Sequence, residues 1–111
     1  MATLPVKVVP HGGLSLAAAD YASAAGGGDK SATGSGVLLL VKNADSAAHT
    51  VTMHVPETVD GLAVSSRPID VPASDTGLIP LIDLYRDPAT GLASWTYDGV
   101  TGLTVAVVRV A

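Results

Sequence analysis

From residue 37 onward the sequence never sustains an apolar pattern for long before Gly, Pro, Asp or Asn interrupts it. Runs that short suit β-strands, and the turn residues between them supply the reversals that strands need. Residues 37–41 are apolar at every position, as in a strand covered on both faces, and Asn43-Ala44-Asp45-Ser46 then offers a turn. Val51, Met53 and Val55 alternate with Thr50, Thr52 and His54, the period-two signature of a half-buried strand. The two runs are expected to pair as a hairpin. Residues 61–64 and 69–71 read as short strands around Pro68, and residues 78–84 as one that Pro80 confines to an edge. Asp87-Pro88-Ala89-Thr90-Gly91 is a turn, followed by a strand with Trp95 and Tyr97 on one face. After the turn Asp98-Gly99-Val100-Thr101-Gly102, residues 103–110 close the chain, with Leu103, Val105 and Val107 alternating against Ala106, Val108 and Val110.

About seven short strands separated in this way predict an all-β fold, an antiparallel β-sandwich or a jelly-roll-like barrel. Internal repeats are not evident, which argues against a β-helix or a propeller. Val37, Leu39, Val41, Val51, Met53, Trp95, Val105 and Val107 are the expected core. Residues 1–13 form an N-terminal arm or edge strand, because Pro5 and Pro10 each remove a backbone donor from an otherwise alternating stretch. Residues 14–111 make up the single sandwich domain. Within it, the Ala-rich residues 14–25, with Leu14, Leu16 and Tyr21, suggest one short helix ending at Gly26. Residues 24–36, almost entirely Ala, Gly, Ser and Thr, are expected to form a mobile surface loop.

A chain of 111 residues has room for one core. It contains no Cys, so disulfides, thiol catalysis and Cys-ligated metals are excluded. Hydrophobic residues make up 48% and charged residues 14%, too little charge to cover the surface of an ordinary domain. A membrane span would account for this, but it needs about 20 apolar residues, and the longest uninterrupted apolar stretch is residues 37–41. The remaining account is a surface partly covered by neighbouring subunits. Pro5, Lys7, Pro10 and His11 interrupt the place where a signal peptide would carry its apolar core, so assembly in the cytoplasm is expected. The net charge is −4, and Lys7, Lys30, Lys42, Arg67, Arg86 and Arg109 never adjoin, so neither nucleic acid nor a membrane is an expected partner.

The residues that carry chemistry elsewhere do not converge here. No G-x-S-x-G elbow is present, and Ser35 lies between two glycines in the low-complexity stretch. Gly26-Gly27-Gly28-Asp29-Lys30-Ser31 resembles a phosphate-binding loop only superficially, because Asp29 stands where glycine is required and would repel phosphate. His49 and His54 fall on opposite faces of one strand, and His11 lies in the arm, so the three histidines are expected at the surface or rim. Asp60, Asp87 and Asp98 each precede Gly or Pro, where Asp is selected for turn geometry. Tyr85, Trp95 and Tyr97 would make a sugar platform if exposed, although Trp95 is the natural core aromatic of a chain without Phe. The chain is therefore read as a non-enzyme with no cofactor, no catalytic residue and no metal ligand.

The order Gly28-Asp29-Lys30, Gly36-Val37-Leu38-Leu39-Leu40-Val41-Lys42-Asn43, His49-Thr50-Val51-Thr52-Met53, Val59-Asp60-Gly61-Leu62, Tyr85-Arg86-Asp87, Trp95-Thr96-Tyr97 and Val105-Ala106-Val107-Val108-Arg109 resembles small virion proteins of tailed phages of high-GC bacteria. Some of these are similar to capsid decoration (cementing) proteins. The resemblance implies a bacteriophage structural protein on the outer capsid surface of the virion. Its implied partners are the major capsid protein and copies of itself, as in a homotrimer. Alternatives are a head-to-tail connector or tail subunit, or a host-surface carbohydrate-binding module. Leu4, Pro5, Val6, Val8, Val9 and Pro10, apolar and kept by proline from a central strand, are the expected contact with neighbouring subunits.

Overall fold

The computed structural model describes residues 2–17, 20–56 and 58–110. Its strands are, in chain order, β1 (Ala2–Thr3), β2 (Val6–Val9), β3 (Ala22–Ser23), β4 (Asp29–Ala32), β5 (Val37–Asn43) and β6 (His49–Met53). They continue as β7 (Thr58–Val59), β8 (Leu62–Ala63), β9 (Arg67–Val71), β10 (Thr76–Pro80), β11 (Leu92–Tyr97) and β12 (Leu103–Val110). A 3-10 turn, Asp83–Tyr85, precedes β11. No helix among the described residues is long and apolar enough to cross a membrane.

Two sheets face each other. One has the order β1-β4-β11-β6-β9, the other β10-β5-β12-β2, with β3 paired to β12 beside β2. Alternation in sequence becomes alternation in burial. In β5, Val37, Leu39, Val41 and Asn43 are buried while Leu38, Leu40 and Lys42 point away from the core, and β6 buries His49, Val51 and Met53. Trp95, Leu39, Val41, Val51, Met53, Val105 and Val107 are fully buried, and Val37 nearly so. Taking such side chains out of water stabilises a domain by about 1.5–3 kcal/mol each. The fold is thus the expected all-β sandwich, with the expected core at its centre.

The chain seldom stays in one sheet. β5 pairs with β10 and β12, whereas β6 pairs with β11 and β9, so the anticipated β5–β6 hairpin does not form. Residues 44–48 are instead a corner between sheets. Asn43 holds it by donating from Nδ2 to the carbonyls of Ala47 (2.9 Å) and Val71 (3.1 Å) and accepting from the Asp45 amide (3.0 Å). Alternation specifies which face a residue takes but not which strand it meets. The structure also departs from an all-antiparallel arrangement. β1 runs parallel to β4 and β2 parallel to β12, because one N-terminal stretch crosses from the first sheet to the second. Leu4, at the crossing, is buried. The N-terminal residues are therefore edge strands of the domain itself, and Leu4 is turned into the core where no neighbour can reach it.

Two other expectations change. Residues 14–17 and 20–25 contain no α-helix; Ala18 and Ala19 lie outside the described residues. The segment follows the sheet edge instead. The Asp20 carboxylate accepts from the Ala17 amide (2.8 Å) and from Lys7 Nζ (3.1 Å), and β3 pairs with β12. The stretch 24–36, read as a mobile loop, contains β4, in which Asp29 and Ser31 are fully buried. Gly28, at φ +94°, passes so close to the Trp95 carbonyl that a Cβ would lie 2.3 Å from its oxygen. Its glycine serves a close approach of two backbones, not flexibility.

Candidate functional site

The two outer faces of the sandwich differ. On the first sheet, register sets Lys30 beside Ser94, Thr96 beside Thr52, and Thr50 beside Asp70, whose carboxylate accepts from Thr50 Oγ1 at 2.8 Å. That face is polar. On the second sheet, one row runs Leu78, Leu40, Ala106 and the next runs Pro80, Leu38, Val108. Thr76, Lys42 and Thr104 form the polar row at one border. Leu78 is 63% exposed and Val110, at the end of the same face, 56%. Ala106 and Val108 are covered, while Leu38 and Leu40 are half-buried. The second face thus exposes apolar side chains at Leu78 and Val110 and in part at Leu38 and Leu40, where the first exposes mainly hydroxyls and charges.

Residues 20–21 reach over the border of this second face. Lys7, opposite Val108, forms an ion pair with Asp20 at 3.1 Å, and Lys42 Nζ lies 5.6 Å from the centre of the Tyr21 ring. Tyr21 and Lys42 also line a cleft of about 350 Å³ with Ala44, Val100 and Gly102.

A second exposed apolar feature is the tip between β6 and β9. These strands pair antiparallel, and the chain between them runs out into the β7–β8 hairpin. Asp60 (φ 52°) and Gly61 (φ 75°) give the turn its positive dihedrals, the reason an Asp-Gly pair is found there. Every residue from Thr58 to Pro68 is exposed, including Val59 at 64% and Leu62 at 73%.

The alternative of an aromatic platform at the surface is not met, and Trp95 lies in the core as expected. Trp95 and Tyr85 are buried, with Arg67 Nη1 donating to the Tyr85 hydroxyl at 3.0 Å. Trp95 Nε1 donates to the Tyr97 hydroxyl (2.8 Å), which donates to Asp29 Oδ2 (2.6 Å). Burial, reinforced by Asp29, pushes the Tyr97 phenol well above the ordinary tyrosine range, so it stays neutral. This network satisfies polar groups inside the sandwich.

His49 is not the rim residue that sequence suggested. It is 7% exposed, with Nδ1 2.9 Å from Asp98 Oδ1 and Nε2 3.0 Å from both Asp45 Oδ2 and the Thr101 carbonyl. Asp98, read only as a turn former, is also its partner. Both ring nitrogens are engaged, so neither is free to take a proton from a nucleophile. The carboxylates approach from opposite edges of the ring, and among the described residues no His, Asp or Glu group is arranged to hold a metal ion. His54, as expected, is exposed on the other face. Spacing could not reveal this cluster, because Asp98 and Thr101 come from a turn distant in sequence from His49.

Of the residues expected to contact neighbours, Pro5, Val8 and Pro10 are exposed, Val6 and Val9 are partly covered by pairing with β12, and Leu4 is buried. No family model matches the chain, and neither the curated proteins nor the solved structures yield a match.

Proposed function

We propose that this protein is a structural subunit of a phage particle, a capsid decoration protein held to the outer shell by the apolar face of its β10-β5-β12-β2 sheet. The observation that carries the reading is the contrast between the two outer faces, one mostly of hydroxyls and charges, the other of Leu38, Leu40, Leu78, Pro80 and Val110. A domain that lives free in solution gains nothing by exposing such a strip. One seated on a shell hides it and keeps the polar face toward solvent. The low proportion of charge and the sequence resemblance to small virion proteins support the same reading. So does the acidic balance of −4, suited to a surface turned away from packaged DNA.

The test is to incubate the purified protein with undecorated shells and to count the bound copies per particle. Occupancy over the whole shell is the expected result. A small ring confined to the neck would replace the decoration reading with a connector, and binding to host glycans without binding to particles would replace both.

A further inference from the structure

Two corners of the sandwich meet at His49. The passage from β5 to β6 contributes Asp45, and the turn from β11 to β12 contributes Asp98 and the Thr101 carbonyl. A neutral imidazole carries one N–H and one bare nitrogen, so whichever tautomer forms, one nitrogen would face an oxygen lone pair with no proton between them. Only the imidazolium donates in both directions. The other packed elements do not offset the two carboxylates. On β9, Val71 stands opposite His49 and the Asp70 carboxylate is occupied by Thr50 Oγ1. On β5, Lys42 extends to the Tyr21 ring. Gly99 lies over the imidazole, where a Cβ would be 3.5 Å from Cε1.

We propose that protonated His49 is a pH-sensitive clamp that closes the 44–48 corner onto the 98–102 turn, and that a rise in pH unlatches this end of the sandwich. This does not depend on where the protein is attached. Ala44 donates to the Gly102 carbonyl at 2.8 Å, so the clamp also holds a direct backbone link between the two segments. Ala44, Val100 and Gly102 line the cleft beside Tyr21 and Lys42, and unlatching therefore alters the rim of the apolar face. The hydrogen bond to Asp98 is the main cause of a His49 pKa above the ordinary histidine value; Asp45 and Thr101 add to it, and burial opposes them. A pKa raised by folding stabilises the folded state fully below the unfolded value of about 6.5 and loses that contribution as pH climbs through the folded value. Asp98 is shifted the other way, chiefly by the same hydrogen bond. Its contribution is present above the ordinary aspartate range and is lost as pH falls through its lowered value. The clamp is strongest between the two.

Two measurements on the intact protein test this: the His49 ring titration followed by NMR, and the exchange protection of the Ala44 amide across the same pH range. His49 is expected to titrate above 6.5, with Ala44 protection dropping severalfold through the same midpoint. In Asp98→Asn, a change on an exposed turn, both midpoints should move down together. His49→Gln should abolish the pH dependence of Ala44. The proposal is overturned if wild-type His49 titrates at or below 6.5, or if Ala44 is protected equally on both sides of the midpoint; the wild-type titration decides even where a variant fails to fold.

Discussion

The Tyr97 hydroxyl accepts from Trp95 Nε1 and donates to Asp29 Oδ2, so one oxygen satisfies two buried groups. Removing it in Tyr97→Phe leaves the indole N–H without that acceptor and takes a donor from the carboxylate. Such losses cost about 1–3 kcal/mol, and urea unfolding should show a drop of that size. A change well below it would mean that water takes over the position. Gly28→Ala should also destabilise strongly, since the new Cβ would meet the Trp95 carbonyl oxygen at 2.3 Å from a backbone already at φ +94°. Thermal melting reads this directly; an unchanged transition would refute the close approach. These residues show where sequence reading stops. Trp95 and the alternating Val and Leu positions are legible because apolar residues are buried wherever the strand goes. Asp29 and His49 are buried with partners distant in sequence, and a Gly- and Ser-rich stretch around Asp29 gives no sign of them.

At the level of elements, the N-terminal stretch offers the sharpest prediction. Leu4 fills the core between β1 and β2, and its amide donates to the Lys30 carbonyl at 2.8 Å. Loss of that side chain's burial alone costs about 1.5–3 kcal/mol, and each kcal/mol moves the melting temperature of a domain near this size by about 4–8 °C. Deleting residues 2–10 should therefore lower the transition by at least about 6 °C in a calorimetric scan. If the truncated domain melts with the full chain, the parallel pairing of β2 with β12 contributes no stability and the segment is an arm after all. The β7–β8 tip is predicted to behave in the opposite way. Its residues are exposed, so their amides should exchange far faster than those of β5 and β12. The strands were legible from period-two alternation and the turns from Gly, Pro and Asp. Their assignment to sheets was not, because the corner at residues 44–48 uses the same turn residues as a hairpin and differs only in the long-range bonds that Asn43 makes to Val71 and Ala47.

For the whole molecule, the proposed attachment surface can be tested apart from stability. Leu78 and Val110 are 63% and 56% exposed on the apolar face, so replacing them does little to the core. Substitutions at such positions stay within about 0.5 kcal/mol, and Leu78→Lys with Val110→Lys should leave thermal melting nearly unchanged. The same change puts two ammonium groups where a shell would have to desolvate them, a penalty of several kcal/mol for each charge that finds no partner. Binding to undecorated shells should fall accordingly, by tenfold or more, since about 1.4 kcal/mol corresponds to each factor of ten. Thr52→Lys and Thr96→Lys on the opposite face are the matched control, because Thr52 and Thr96 stand side by side on β6 and β11, away from the apolar strip. They add the same charge and should bind normally. If the control pair abolishes binding while the Leu78 and Val110 pair does not, the polar face is the one that meets the particle and the attachment surface lies on the other sheet. If both pairs bind as the wild type does, neither broad face is buried on the shell, and the exposed Val59 and Leu62 of the β7–β8 tip become the remaining apolar surface to substitute.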